Sequence, residues 1–512
     1  MRTRALLFLA CLPLPLAATA QTGLYLGSKA PYAQAQDSST YEAAPAGFAP
    51  VYTELVARHG SRGLSSASND LAMYNMWLDA QSKGGLTKTG ARLGQDLLRI
   101  IQANALLGYG VPGISAPGYG NLTLLGIQEH TQLAQRMVAR TAPLMTNVAS
   151  SSRQILVSTS GVNRAIDSGT FFTQSLSATV PGIASHISNT PALTAYPVNK
   201  PVAQPAGVNR FQLYFHKLAA KTDLPATTDP YYPTYQSSLQ YQTFLASDSI
   251  QIGKVNSITY SAASYAAAHA VLYTVFTKAF VDQLDAGTTS YMNTGSYTFT
   301  SSDGKFTTTI TGDGTTTLKN AVDAANSLYA VYQITPAMVN EVPINLGKYF
   351  PAGTLPTFNY IADATDFYQK GPSYTESAGV TYQMSQSLLD DFFAEGDSIA
   401  AGNLAHAAKL RFTHAEILIP FQAKLGIPSG SQSVPMAQTY TFDNNPWRGE
   451  INGELAANIQ WDFYTDGTTL LVKMLFNEKE TDFPAACEAA RYATGTATHF
   501  YRYSGIKTCY SH

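Results

Sequence analysis

The chain reads as an α/β protein whose sheet domain is split by a mostly α-helical insert, and three observations carry that expectation. Between residues 51 and 202, short β-like runs alternate with amphipathic helical patterns, the pattern of a sheet covered by helices. Residues 203–403 change character and carry long helical patterns with few strand signals. From Lys409 the strand–helix alternation returns and runs to the C-terminus. Residues 51–202 and 404–512 are therefore expected to form one unit, with 203–403 inserted between them.

Taken in order, residues 1–20 read as a secretory signal. Arg2 and Arg4 precede an apolar stretch from Ala5 to Leu16, and Ala18-Thr19-Ala20 is a small-residue cleavage site, so the mature chain is expected to begin near Gln21. A lipoprotein reading through Cys11 fits poorly, because the apolar stretch continues beyond it. Residues 21–50, rich in Ala, Gly, Pro and Ser, show no sustained period and read as an irregular leader that packs late or stays loose. Val51–Ala57 reads as a buried strand ending in the polar turn Arg58-His59-Gly60-Ser61-Arg62-Gly63. Apolar residues at helical spacing predict a helix over 86–107 and a second over about 124–144. A β-like run, 154–158, leads through Thr159-Ser160-Gly161-Val162-Asn163-Arg164 into a helix containing Phe171 and Phe172.

In the insert, 260–284 and 385–395 have helical periodicity, and between them 290–318 is dense in Thr, Ser and Gly. Alternation on either side of Ser302-Asp303-Gly304 predicts a β-hairpin. Ala262 to Val281 is the most membrane-like stretch after the signal, but it holds His269 and Lys278, so a buried helix is the better reading. Beyond the insert, 409–413 reads as a strand and 416–425 as a helix stopped at Gly426 and Pro428. Late strands are expected at 461–464 and 470–475.

Composition narrows the function classes. Of 512 residues, 45% are hydrophobic and only 13% charged, against roughly 25% charged in an average protein. Without Arg2 and Arg4, 30 basic residues face 34 acidic ones, a net charge near −4. That balance excludes a nucleic-acid footprint and leaves attraction of an anion to a local cleft. Three cysteines occur, one of them in the signal. The remaining pair, Cys487 and Cys509, is expected to form a disulfide in an exported chain, closing a loop worth roughly 3 kcal/mol. Gly108-Tyr109-Gly110-Val111-Pro112-Gly113 has dinucleotide-fingerprint spacing but follows a helix and contains proline, so it reads as a loop. The histidines show no metal-ligand spacing; no metal and no cofactor is expected.

Two clusters carry chemistry. In the first, Arg58 and Arg62 flank His59: a guanidinium fork matches two phosphate oxygens, and a neutral imidazole nitrogen can accept a phosphoryl group when its other nitrogen is held. Gly60 is expected to let the backbone approach a ligand closely. Downstream of the insert lies the second cluster, Thr413-His414-Ala415-Glu416. Each alone is more often a surface feature or a helix-start residue; their co-occurrence in this order is the informative point.

Arg58-His59-Gly60-Ser61-Arg62 resembles the signature of the histidine acid phosphatases, with Leu64 where that family has proline, a change that removes no chemical group. Their usual histidine-aspartate motif is replaced here by His414-Ala415-Glu416, which resembles the multiple inositol polyphosphate phosphatases. Arg164, with Asp167 and Ser168 after it, resembles the third phosphate-binding arginine, and Asn458-Ile459, Asn477-Glu478-Lys479 and the late cysteine pair also fit that subgroup. The resemblance covers most of the chain from about residue 50 and is weakest in the insert.

It implies a histidine-phosphatase-like sheet domain, His59 as nucleophile, Arg58, Arg62, Arg164 and His414 as phosphate ligands, and Glu416 as proton donor. The substrate implied is a small phosphomonoester, phytate first, with Lys83, Lys88 and Arg92 as candidate contacts for further phosphates. A broad acid phosphatase on small monoesters and a non-catalytic surface binding protein are the alternatives. The expected location is secreted or periplasmic, with no membrane span in the mature protein.

Overall fold

The computed structural model describes residues 23–189, 204, 207–493 and 498–512; the signal segment expected at 1–20 lies outside them. Numbering only the strands of the main sheet, they are β1 (Ala49–Arg58), β2 (Gln154–Thr159), β3 (Ile187–Asn189), β4 (His406–Thr413), β5 (Asn458–Thr465), β6 (Leu470–Phe476), β7 (Lys479–Thr481) and β8 (Tyr501–Arg502). Their order is β7-β6-β5-β1-β4-β2-β3, with β8 pairing on β6. Strands β1, β4, β2 and β3 run parallel, whereas β5, β6, β7 and β8 extend the sheet antiparallel.

Strand β1 is buried at every residue from Val51 to Arg58, because both sheet faces are covered. Leu55 and Ala57 face a core with Leu133, Met137, Phe172 and Phe412, built with helices Leu124–Arg140, Ala142–Val148 and Asn163–Thr179. Tyr52 and Val56 face the opposite core, with Phe211, Phe392, Phe421 and Trp461. Sequence alternation of period two thus sorts one strand between two layers. The interior also holds charge: Arg411 pairs with Glu54 at 3.0 Å and with Asp391 at 2.6 Å.

A third core is helical. Helices Ala262–Val275, Lys278–Asp285, Ala321–Ile334 and Leu355–Gln369 share it with Asn69–Ser82 and Leu93–Ala105 from ahead of the insert. Conversely, Tyr232–Ser247 and Gln386–Ala400, within 203–403, pack on the sheet side. The single helical pattern at 260–284 is two helices, broken at Phe276-Thr277 where Leu86 bridges to Phe276. The hairpin forms between Ser296–Thr300 and Thr307–Thr311. Helix Asn69–Ser82 was not expected; polar Asn69, Asp70 and Asn75 interrupt its apolar face, and Asp70 is buried against the Tyr119 hydroxyl at 2.7 Å. Among the described residues, no helix is long and apolar enough to cross a membrane.

Of the two expectations for the leader, its start is packed rather than loose. Leu26, Gly27 and Ser28 are buried. The hydroxyls of Tyr329 and Tyr332 donate to the carbonyls of Tyr25 and Leu24, and Gln333 donates to that of Leu26. An irregular segment held this way has its backbone groups paired by side chains rather than by a ladder, which composition alone does not reveal.

Candidate active site

Register brings the two clusters together. Arg58 at the end of β1 pairs with Thr413 at the end of β4, and Thr159 at the end of β2 pairs with Phe412. The next residues along, His59, His414 and Ser160, therefore emerge side by side at the C-terminal edge of the parallel strands, where open α/β sheets place their ligands. His59 N–H donates to Thr413 O at 2.8 Å, and Ser160 N–H to Phe412 O at 3.1 Å. The rings of His59 and His414 lie 5.4 Å apart, centre to centre.

His59 is 2% exposed. Its Nδ1 donates to Gly60 O at 3.0 Å, since a carbonyl only accepts, and this leaves the Nε2 lone pair free. Burial, then Arg164, Arg58, His414 and Arg62, holds its pKa well below the usual imidazole value, which favours the neutral ring. The loop around it is locked. Ser61 N–H and Oγ donate to the Glu129 carboxylate at 2.6 and 2.7 Å. Gly60 N–H donates to Ser168 Oγ at 3.2 Å, and Ser168 donates on to Arg164 O at 2.7 Å. A Cβ on Gly60 would meet Gly126 O at 2.5 Å. The close approach that requires glycine here is therefore to the helix Leu124–Arg140, rather than to a ligand.

Around the two histidines stand three guanidinium groups. Arg58 donates to Ser28 O at 2.6 Å and to Gly453 O, Arg62 donates to Gly63 O at 2.5 Å, and Arg164 opens the helix Asn163–Thr179. Among the described residues, the Nε atoms of all three are buried without a protein partner, as is His414 Nδ1. His414 Nε2 lies 2.8 Å from Ser160 Oγ, which already accepts from Val162 N–H at 3.3 Å. Ser160 can then donate its proton to Nε2, which puts the imidazole proton on Nδ1 as a donor. Burial and mutual repulsion push the Arg58 and Arg62 guanidiniums down, a cost that a bound anion relieves.

Glu416 sits in the first turn of helix Ala415–Leu425, with its side chain one-third exposed. Its carboxylate acts electrostatically on Arg58, Arg62, Arg164 and His414. It pairs with Lys370 Nζ at 3.2 Å, and Lys370 also pairs with Asp366 at 2.8 Å. Burial pushes the Glu416 carboxyl up, but Lys370, His216, His414 and Lys29 more than reverse this and hold it well below the usual range. These cations favour the ionised carboxylate; a phosphate dianion among them would raise it toward protonation.

Of the residues singled out from sequence, Arg58, His59, Arg62, Arg164, His414 and Glu416 converge. Lys83, Lys88 and Arg92 are exposed. Lys83 pairs with Asp79 at 2.7 Å, Arg92 acts on the Tyr349 hydroxyl, and among the described residues no hydrogen bond or ion pair joins the three to the ring. The Cys487–Cys509 disulfide is formed, with Cα atoms 5.2 Å apart. Four contributors escaped the sequence reading: Lys29 in the leader, Lys370 after a helix end, Ser160, and His216, which is buried and acts on Glu416 and His414. No local pattern marks a lone lysine or a Phe-His-Lys triplet, and only the fold brings them near the strand ends.

No protein-family model matches the chain, and no curated protein sequence matches it. Solved structures do. The Bifidobacterium longum multiple inositol polyphosphate phosphatase in complex with inositol hexasulfate is 32% identical, with a TM-score of 0.81 over 95% of this chain and 97% of that one. Its apo form is 31% identical, with a TM-score of 0.82 over 95% and 97% of the two chains. The D. castellii phytase, 12% identical with a TM-score of 0.55 over 95% of this chain and 84% of its own, shares the fold. Fold and site together define a phosphomonoester hydrolase of the histidine acid phosphatase class. Identity and coverage narrow the class further: the chain belongs to the multiple inositol polyphosphate phosphatase family.

Proposed function

We propose that this protein is an exported phytase, hydrolysing inositol polyphosphates through a phosphohistidine formed on His59. The observation that carries the reading is the meeting of His59 and the His414–Glu416 segment at one strand edge, inside a ring of three arginines. Export is supported by the N-terminal signal pattern and the disulfide. Phytate as substrate is supported by the family and by the inositol hexasulfate complex of the B. longum protein.

In this scheme Arg58, Arg62, Arg164 and His414 Nδ1–H bind the oxygens of one phosphate and stabilise charge as the transition state loosens. The His59 Nε2 lone pair attacks phosphorus in line with the ester bond. As that bond breaks, Glu416, protonated in the complex, gives its proton to the leaving alkoxide. Water then attacks the phosphohistidine, Glu416 takes its proton, the P–N bond breaks, and inorganic phosphate leaves with His59 neutral again. The test is purified protein with phytate, following released phosphate and inositol phosphate isomers across pH. Stepwise phosphate release with an acidic optimum is expected. Turnover of glycerol phosphate without turnover of phytate would make the protein a broad acid phosphatase instead.

A further inference from the structure

A buried carboxylate that the phosphohistidine scheme does not use is joined to His59 through a single peptide unit. Ser61, two residues after His59, is fully buried, and all its polar groups are engaged by one helix. Its N–H and hydroxyl donate to Glu129 Oε2 and Oε1 at 2.6 and 2.7 Å. Its carbonyl accepts from the N–H and the hydroxyl of Thr123 at 2.9 and 3.2 Å. Thr123 caps the helix Leu124–Arg140, and Glu129 lies in the second turn of that helix. Glu129 also accepts from the Tyr32 N–H of the leader at 3.0 Å. Nearby, the Tyr32 hydroxyl donates to Glu478, which Arg136 of the same helix grips at 2.6 Å. One helix thus holds leader and nucleophile loop together.

The peptide between Gly60 and Ser61 is trans, so its carbonyl and its N–H point to opposite sides. The carbonyl accepts from His59 Nδ1 at 3.0 Å, and the N–H donates to Glu129. Carboxylate, peptide and imidazole therefore form one chain of hydrogen bonds. Such chains polarise each member, so an anion on the N–H makes the carbonyl a better acceptor for the ring proton. That keeps the proton on Nδ1 and the lone pair on Nε2. Three donors meet the two oxygens of Glu129, the pattern of an ionised carboxylate, which only accepts. Burial pushes its pKa above the usual carboxylate value, while Ser61, Tyr32 and Arg58 pull against this.

We propose that Glu129 is a positioning residue for the reaction: through the Gly60–Ser61 peptide it holds the His59 ring in the tautomer and orientation that attack phosphorus. This rests on the reading of His59 as nucleophile and deepens it. Glu129 touches no substrate in this role. It acts as the buried acid behind a catalytic histidine does, with a peptide unit between them.

The test compares Glu129→Gln, Ser61→Ala and wild type on p-nitrophenyl phosphate, with inhibition by inorganic phosphate and the His59 ring proton as further readouts. That proton is followed in ¹⁵N-histidine-labelled protein and identified by its absence from His59→Ala. Thermal unfolding checks the fold of each variant. In Glu129→Gln an amide N–H₂ faces a donor, so kcat falls by at least about tenfold while the inhibition constant of phosphate moves less than about threefold. The His59 Nδ1–H signal moves upfield, as for a weakened hydrogen bond. Ser61→Ala removes one hydroxyl and leaves the peptide N–H on Glu129, so it shows a smaller loss of kcat and little change in the ring signal; it also serves where Glu129→Gln does not fold. An unchanged kcat and ring signal in Glu129→Gln, a loss of phosphate affinity as large as the loss of kcat, or a larger effect in Ser61→Ala overturns the proposal. Activity surviving in His59→Ala sinks the nucleophile reading instead, and the ring signal still decides whether Glu129 acts on His59.

Discussion

The two sides of the candidate site are built differently. On one side, His59, Ser160 and His414 continue three adjacent strands, and their places come from the register of β1, β4 and β2. On the other side, Lys29 and Lys370 come from an irregular leader and the end of helix Leu355–Gln369, and their places depend on side-chain clamps such as Ser28–Asp366 and Lys370–Glu416. In the proposed scheme the strand side presents the nucleophile and the groups for one phosphate. The clamped side bears on the ionisation of Glu416. Chemistry common to a fold is placed by backbone register, and the features that select a substrate are added by loops and inserts around it.

The comparison can be broken by substitution, beginning with the strand side. His59→Ala should lower turnover of every phosphomonoester by at least about 10³-fold, because the attacking atom is gone; residual activity of a few per cent in steady-state assays would mean another nucleophile. Next comes Glu416→Gln, which should cost about 10²- to 10⁴-fold on poor alkoxide leaving groups and far less on p-nitrophenyl phosphate. Equal losses on both substrates would remove Glu416 from proton donation.

The clamped side should respond in pH dependence more than in rate. In the proposed scheme Glu416 must carry a proton to act, so a cation that lowers its pKa confines activity to lower pH. Lys370 is the strongest such cation. Lys370→Met should move the alkaline limb of kcat/KM to higher pH, and a pH–rate profile with an unmoved limb would separate Lys370 from the acid. A wild-type optimum well above about pH 8 would contradict the donor role itself.

Two structural substitutions sharpen the contrast. Gly60→Ala places a methyl group against Gly126 O and should cost about 1–3 kcal/mol in chemical unfolding, with activity falling because the nucleophile loop shifts. Cys487→Ser opens a link that joins two segments 22 residues apart. It should cost roughly 3 kcal/mol while leaving the rates of the folded enzyme near wild type; an intact unfolding free energy would show that packing alone holds the C-terminal helix Tyr503–Cys509.

Sequence disclosed the strand side well for a physical reason. A strand buried on both faces is a continuous apolar run, so its end is visible, and the residues just beyond that end form the site. The same logic found Arg164, after β2 and at the start of a helix. It failed on Lys29, because Gly27-Ser28-Lys29 has no period and is ordered by Tyr329, Tyr332 and Gln333, some 300 positions away. Lys83, Lys88 and Arg92, chosen for nearness in sequence to His59, are exposed and make no bond to the ring among the described residues. The turn at Gly84–Gly90 runs beside Val275 and Phe276 in the helical core, and the three cations stay in solvent. Gly60 was rightly singled out but for another partner, since a neighbouring helix backbone is as exacting as a ligand and leaves no mark in a single sequence.

The most direct measurement is to mix the enzyme with ³²P-labelled substrate, quench within milliseconds under alkaline conditions that preserve phosphohistidine, and map the label by peptide sequencing. Phosphate is expected on His59, lost in acid and absent from His59→Ala. Label on any other residue, or none under conditions where turnover proceeds, would contradict His59 as the nucleophile.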